Sequence, residues 1–211
     1  MPTVKEKQVE NASTALQPKD LSGIPGATDK STTATLSTLI GEAAELAMVL
    51  ANGLSSTWYS GTYTAPRRDM AVVYDEDWDA QVHVTIGTGG TNFGGLAIYE
   101  DGDQSKVIQV GAIYHSGGYK FQELNGPSWS NSIGGSGAAA SWVRIRQRGG
   151  TVYVDYAAGA AGSPPDQEDW TTPASHSTPY NRSNAVISVF AKHDGTGENT
   201  VEFRNFTLRN R

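Results

Sequence analysis

The sequence contains no cysteine, which removes disulfides, zinc–thiolate sites and thiol catalysis while leaving the compartment open. Charge is scarce as well: 18% of residues are charged and 37% apolar, both below the usual share of a globular chain. No stretch approaches the roughly 20 apolar residues of a membrane span. The opening MPTVKEKQVE lacks the apolar run of a secretion signal. Neither a membrane partner nor export is therefore expected. His83, His115, His176 and His193 are scattered, without the His-x-x-x-His or His-Glu-x-x-His spacing that would hold zinc. A Gly-x-Ser-x-Gly nucleophile elbow and a phosphate-binding loop are also missing. The net charge of −6 is carried by residues 31–140 (−7), with residues 1–30 neutral and residues 141–211 at +1. An acidic body without a basic patch argues against a nucleic-acid partner.

Glycine takes the place of the missing charge and apolar residues, with 24 in 211 positions. Abundant glycine in a folded chain implies many tight turns and so many short strands. Three segments follow from the pattern. Residues 1–30 have few large apolar side chains, spaced without period among prolines and glycines, and are expected to form a flexible N-terminal arm. Residues 31–54 are expected to hold one α-helix: Leu36, Leu39, Ala43, Leu46 and Leu50 step by three and four, as along a heptad seam. That seam would pack either on its own domain or on copies of itself, the second reading giving an oligomerisation helix and a homotrimer. Residues 55–211 change to a period of two. Ala80, Val82, Val84 and Ile86 alternate with Gln81, His83 and Thr85, and further strands are expected over 57–64, 70–75, 94–100, 106–114, 118–124, 141–148, 151–157, 185–192 and 199–209. This spacing predicts a mainly β fold, an antiparallel β-sandwich or barrel.

The hairpin around Gly149-Gly150 is the clearest local prediction. A two-residue primed turn there pairs Arg148 with Thr151 and fixes the register of both strands. Ile145 then faces Val154 and Val143 faces Tyr156 on the core side. Arg144 faces Asp155 and Arg146 faces Tyr153 on the other side, which gives the row Arg144, Arg146, Arg148 a structural role rather than a nucleic-acid one.

The stretch 141–156 (Ser-Trp-Val-Arg-Ile-Arg-Gln-Arg-Gly-Gly-Thr-Val-Tyr-Val-Asp-Tyr), with Asp169-Trp170-Thr171, residues 186–191 and residues 201–208, resembles the concanavalin A-like superfamily of laminin-G, jelly-roll lectin and glucanase domains. The likeness implies a jelly-roll of two curved antiparallel sheets, with a ligand on the concave face or in the rim loops. Hydrolases of that superfamily use a Glu-x-Asp-x-x-Glu strand, and no such string occurs here. The acidic groups Asp75-Glu76-Asp77 with Asp79, Glu100-Asp101 with Asp103, and Asp166 with Glu168 and Asp169 fall in expected turns. They read as solvated turn residues rather than as a catalytic pair or a calcium site. The chain is accordingly expected to be no enzyme, with no metal and no cofactor.

Binding has more to rest on. Trp129 lies in Asn-Gly-Pro-Ser-Trp-Ser-Asn-Ser, and Trp170 in a Pro/Ser/Thr-rich loop with Tyr180 beyond it. Aromatic rings on polar loops stack on sugar faces while neighbouring polar groups take the hydroxyls, although they also pack on other subunits. The expected function is a structural subunit of a larger particle, in particular a bacteriophage virion surface protein (capsid decoration or short fibre), attached to other subunits through residues 1–54. The alternative is a carbohydrate-binding module with Trp129, Trp170 and Tyr180 at a surface glycan. A third reading is a glycoside hydrolase whose carboxylates the strand assignment misplaces.

Overall fold

The computed structural model describes residues 34–39, 45–50, 67–73, 77–88, 90–100, 103–125, 128–132, 137–182, 185–194 and 199–210. Among the described residues the strands are β1 (Ala34–Leu39), β2 (Glu45–Leu50), β3 (Arg67–Val73), β4 (Trp78–Ile86), β5 (Thr91–Glu100), β6 (Asp103–His115), β7 (Gly118–Asn125), β8 (Ser128–Ser132), β9 (Ala140–Arg148), β10 (Thr151–Ala158), β11 (Thr171–Ser177), β12 (Ala185–Asp194) and β13 (Asn199–Asn210). They form two antiparallel sheets. One runs β1-β2-β13-β4-β9-β10-β11 and the other β3-β12-β5-β6-β7-β8. The fold is mainly β and an antiparallel sandwich, as the period of two and the turn spacing predict.

Alternation decides which side chains fill the space between the sheets. The seven-stranded sheet contributes Ala80, Val82, Val84 and Ile86 from β4, Val143 and Ile145 from β9, Val152 and Val154 from β10, and Val201 and Phe203 from β13. Leu96, Ile98, Ile108, Val110, Phe121, Ile187 and Val189 meet them from the six-stranded sheet. Burial of this apolar surface is the main favourable term in the fold. Phe121 of β7 also stacks on Tyr156 of β10, with ring centroids 4.0 Å apart, which ties the sheets together toward their β8 and β11 edges. The β9–β10 hairpin has the expected register throughout, including Arg148↔Thr151, Ile145↔Val154 and Arg144↔Asp155. Gly149 has φ +55°, the conformation a primed hairpin turn needs at its first central position.

The expected helix over 31–54 is corrected. Residues 34–39 and 45–50 are β1 and β2, an antiparallel pair whose second strand adds to the free side of β13. Leu36 and Leu39 therefore sit on β1 and Leu46 and Leu50 on β2, while Ala43 lies outside the described residues. No helical seam joins them. The physical reason is in the same residues: Leu46, Met48 and Leu50 alternate as well as they step, and Thr32, Thr33, Thr35 and Thr38 are β-branched residues that favour strands. An unfilled backbone edge on β13 then decides between two nearly balanced patterns. The arm, residues 1–30, lies outside the described residues, as does the expected strand 57–64.

Besides β1 and β2, two more strands lie outside the sequence expectation. β8 and β11 arise from segments rich in Ser, Thr, Asn and Pro, and each is the last strand of its sheet. A terminal strand needs only one hydrogen-bonded neighbour, so Pro173 is tolerated in β11. Gly94 and Gly95 lie within β5, as the expected strand 94–100 has them. Gly95 faces Gly111 of β6, and a Cβ on it would overlap the Val110 carbonyl oxygen. Because that obstacle is backbone and cannot rotate away, Gly95→Ala is expected to destabilise the protein by about 3 kcal/mol, the upper end of overpacking. Urea unfolding of the two proteins measures this directly.

Candidate functional site

The face of the seven-stranded sheet turned away from the core carries most of the chemistry. The registers set its rows: Arg209, Asp79, Arg146 and Tyr153; then Thr207, Gln81, Arg144 and Asp155; then Arg204, His83, Trp142 and Ala157. Such a face is normally open to water. Here its centre is closed, since Trp142 is fully buried, His83 is 2% exposed and Arg144 is 4% exposed.

Asp155 is the hub. Its carboxylate accepts from Arg144 Nε at 2.7 Å, from Arg146 Nε at 2.5 Å and Nη2 at 2.9 Å, and from Thr172 Oγ1 at 2.5 Å. One carboxylate thereby joins β9, β10 and β11. Burial pulls the Arg144 guanidinium below its ordinary pKa against the pull of Asp155, whereas the hydrogen bond to Asp155 raises that of Arg146. Arg148 pairs with Asp79 and also donates to the Trp78 carbonyl. The arginine row is thus engaged within the sheet, as the cross-strand pattern predicts.

The chain between β10 and β11 folds back over this face. Three successive carbonyls, of Gly159, Ala160 and Ala161, accept from His83 Nε2 (3.1 Å), Trp142 Nε1 (3.1 Å) and Asn205 Nδ2 (2.6 Å). Further along, a 3-10 turn (Gln167–Asp169) opens with a capping box between Asp166 and Asp169. Gln167 Oε1 accepts from Arg144 Nη1 at 3.3 Å. Trp170 follows, its ring 4.1 Å from the Arg144 guanidinium and partly exposed. Beside it the edge strand β11 presents Thr171, Thr172, Ser175 and Ser177 to solvent, and Ser175 pairs with Tyr153 of β10. Tyr153 in turn has the Arg146 guanidinium 5.0 Å from its ring.

Of the residues expected to bind, only Trp170 has a ring described at the surface. Tyr180 is 4% exposed and its hydroxyl donates to Gln147 Oε1 at 2.9 Å within the core, so it is corrected from binding residue to core residue. Burial also pushes its phenol pKa up, keeping it neutral. Trp129 sits on β8 opposite Leu124 of β7. Several of the described carboxylates are engaged. Asp77 accepts from the Gly149 N–H, and Asp166 and Asp169 cap each other. Glu100 takes the Asn181 N–H and the Lys106 ammonium, which hold it below the ordinary carboxylate range. Sequence reasoning missed His83, Trp142, Tyr153 and the strap 159–161. The signal available was Gln81, His83 and the arginine row alternating with core residues. What it could not show was a loop lying across them.

No protein family matches the chain by sequence, and no curated protein does. Solved structures do share its fold. A functionally unknown protein from Saccharomyces cerevisiae superposes with a TM-score of 0.64 at 15% identity, covering 87% of this chain and 99% of that one. An engineered GH43 glycoside hydrolase, described as displaying endo-xylanase and exo-arabinofuranosidase activity, gives 0.60 at 11% identity over 85% of this chain and 36% of its own. A GH43B protein of a Bacteroides ovatus xyloglucan PUL gives 0.55 at 13%, over 89% and 39%. The chain therefore spans little more than a third of these two hydrolases. Identities this low establish the fold alone. They correct one expectation: absence of a Glu-x-Asp-x-x-Glu strand does not make the chain a non-enzyme, because this architecture occurs within glycoside hydrolase chains that are enzymes. The virion-surface expectation finds no support in these comparisons.

Two measurable consequences follow from the geometry. Asp155→Ala leaves two guanidinium groups, one of them buried, without their shared carboxylate, and should cost about 3–5 kcal/mol in urea unfolding. The second concerns His83, which meets Trp142 of β9 edge-on, Arg204 and Glu202 of β13, and the Gly159 carbonyl of the strap. Burial holds its pKa below the ordinary 6.5, with Arg204 adding to the shift. The neutral ring then stabilises the fold fully above 6.5, and that contribution falls away as pH drops below it, because the unfolded chain binds the proton first. Unfolding midpoints at about pH 8 and about pH 5 should differ more for the wild type than for His83→Gln.

Proposed function

We propose that this sandwich binds carbohydrate on the outer face of its seven-stranded sheet, at the rim formed by Trp170, Tyr153 and β11. The observation that carries the reading is the partly exposed Trp170 ring, held over the Arg144 guanidinium beside a strand edge rich in exposed hydroxyls. Sugars present an apolar face ringed by hydroxyls, so they need a rigid aromatic surface flanked by hydrogen-bonding groups. Arg144 supplies the rigidity: it is buried and fixed by Asp155, so the indole stacks on an immobile plane. Thr171, Ser175 and Ser177 supply donors and acceptors at low conformational cost. The fold shared with parts of GH43 glycoside hydrolases supports the same class of ligand. One of those proteins is described by endo-xylanase and exo-arabinofuranosidase activity, which makes xylan and arabinoxylan the first polymers to try.

Affinity electrophoresis of the full chain through gels containing soluble xylan, arabinoxylan or β-glucan tests the reading. Retardation by at least one polymer is expected, with Trp170→Ala weakening binding about tenfold, or ~1.4 kcal/mol. Mobility unaffected by every polymer, or equal retardation of the variant, would sink it.

A further inference from the structure

The strap over the centre of the outer face is fastened almost entirely through its backbone. The donors to Gly159, Ala160 and Ala161 stand on β4, β9 and β13, and the Ser163 N–H closes a turn onto Ala160. The strap's own side chains contribute little, since Ala158, Gly159, Ala160, Gly162 and Ser163 are exposed. A segment with so little buried apolar surface, held by three hydrogen bonds, is one that opens locally well before the sheet beneath it unfolds.

What lies beneath has the make-up of a polar binding surface. Trp142 forms the floor, with Arg144 two residues on along β9 and with His83 and Gln81 opposite them on β4. Neighbouring positions on one sheet face make a patch of roughly 5 by 7 Å, the size of one pyranose ring. Two of its polar atoms are buried without a hydrogen-bond partner among the described residues, His83 Nδ1 and Arg144 Nη2. Buried polar atoms almost always have partners, so two orphans on one covered patch point to a state in which something else supplies them. Arg144 is also the residue on which Trp170 stacks, so the covered patch is continuous with the rim.

We propose that the floor beneath residues 158–163 is a second sugar subsite, closed by this strap and occupied by the sugar next to the one on Trp170. The Trp142 indole would take the sugar face, with His83 Nδ1 and Arg144 Nη2 meeting its hydroxyls. The proposal rests on the carbohydrate reading and adds to it a subsite and a gate.

Elastase cleavage of the full chain, with and without xylohexaose, tests both additions, because the Ala-rich strap becomes a substrate when it lifts off the sheet. Occupied, the subsite holds the strap open, so cleavage within residues 158–163 should speed up with ligand. If sugar binds while cleavage of the strap stays unchanged or slows, the subsite is overturned and the rim reading stands. Asn205→Gly gives a second arm. Asn205 has φ +54°, which glycine adopts freely, so the substitution removes the bond to Ala161 without straining β13. Loss of that bond should raise strap opening about 3- to 10-fold and tighten xylohexaose binding by up to the same factor. A variant whose strap opens more but whose affinity equals that of the wild type overturns the gate. If neither protein binds xylohexaose, arabinoxylan oligosaccharides or β-glucan oligosaccharides, the carbohydrate reading falls and the subsite with it.

Discussion

The carboxylate of Asp155 has no exposure to water and holds two arginines and a threonine from the strands on either side of it. Most of what is distinctive about the outer face depends on that arrangement. A guanidinium buried as deeply as Arg144 would be very costly alone, and its partner must be both close and fixed. The β9–β10 register provides this, because the residue opposite Arg144 is Asp155 and the residue opposite its neighbour Ile145 is Val154. One alignment satisfies the charges on one side of the sheet and the apolar groups on the other. A slip of one residue would turn Arg144 inward and Ile145 outward, so the two faces protect each other's register.

With Arg144 fixed, the chain after β10 has something rigid to return to. Trp170 lies on the guanidinium, Gln167 accepts from it, and the intervening strap is tied down on His83, Trp142 and Asn205. The loop is therefore organised by polar groups of the sheet and not by a core of its own. Such a cover differs from an apolar lid in that its bonds can be exchanged for bonds to a ligand, and hydroxyl-rich molecules are the natural replacements. That exchangeability adds to what the Trp170 ring contributes to the proposed carbohydrate reading.

The likeness to GH43 chains is one of architecture. A sandwich of this kind packs its main core between the sheets, so it can serve within larger chains or by itself. The likeness extends over most of this chain but over little more than a third of those hydrolases. Whatever chemistry such chains perform, this chain's own outer face has to be judged by its own residues.

By itself the sequence determined the mainly β, antiparallel character, nine of the described strands and the hairpin register, because alternation and glycine turns are local signals that each strand carries independently. It also showed that Arg144 faces Asp155, since a two-residue turn transmits register without outside help. Tertiary structure decided the rest. Residues 34–50 offered a helical and an extended pattern of similar quality, and a backbone edge on β13, far away in sequence, selected the strands. Tyr180 looked like a rim residue until the fold brought Gln147 to its hydroxyl, 33 positions earlier. His83, Trp142 and Asn205 acquired a common role only because one strap crosses β4, β9 and β13, strands widely spaced in sequence but adjacent in the sheet. Periodicity reports which face a residue takes; only the completed topology reports what covers that face.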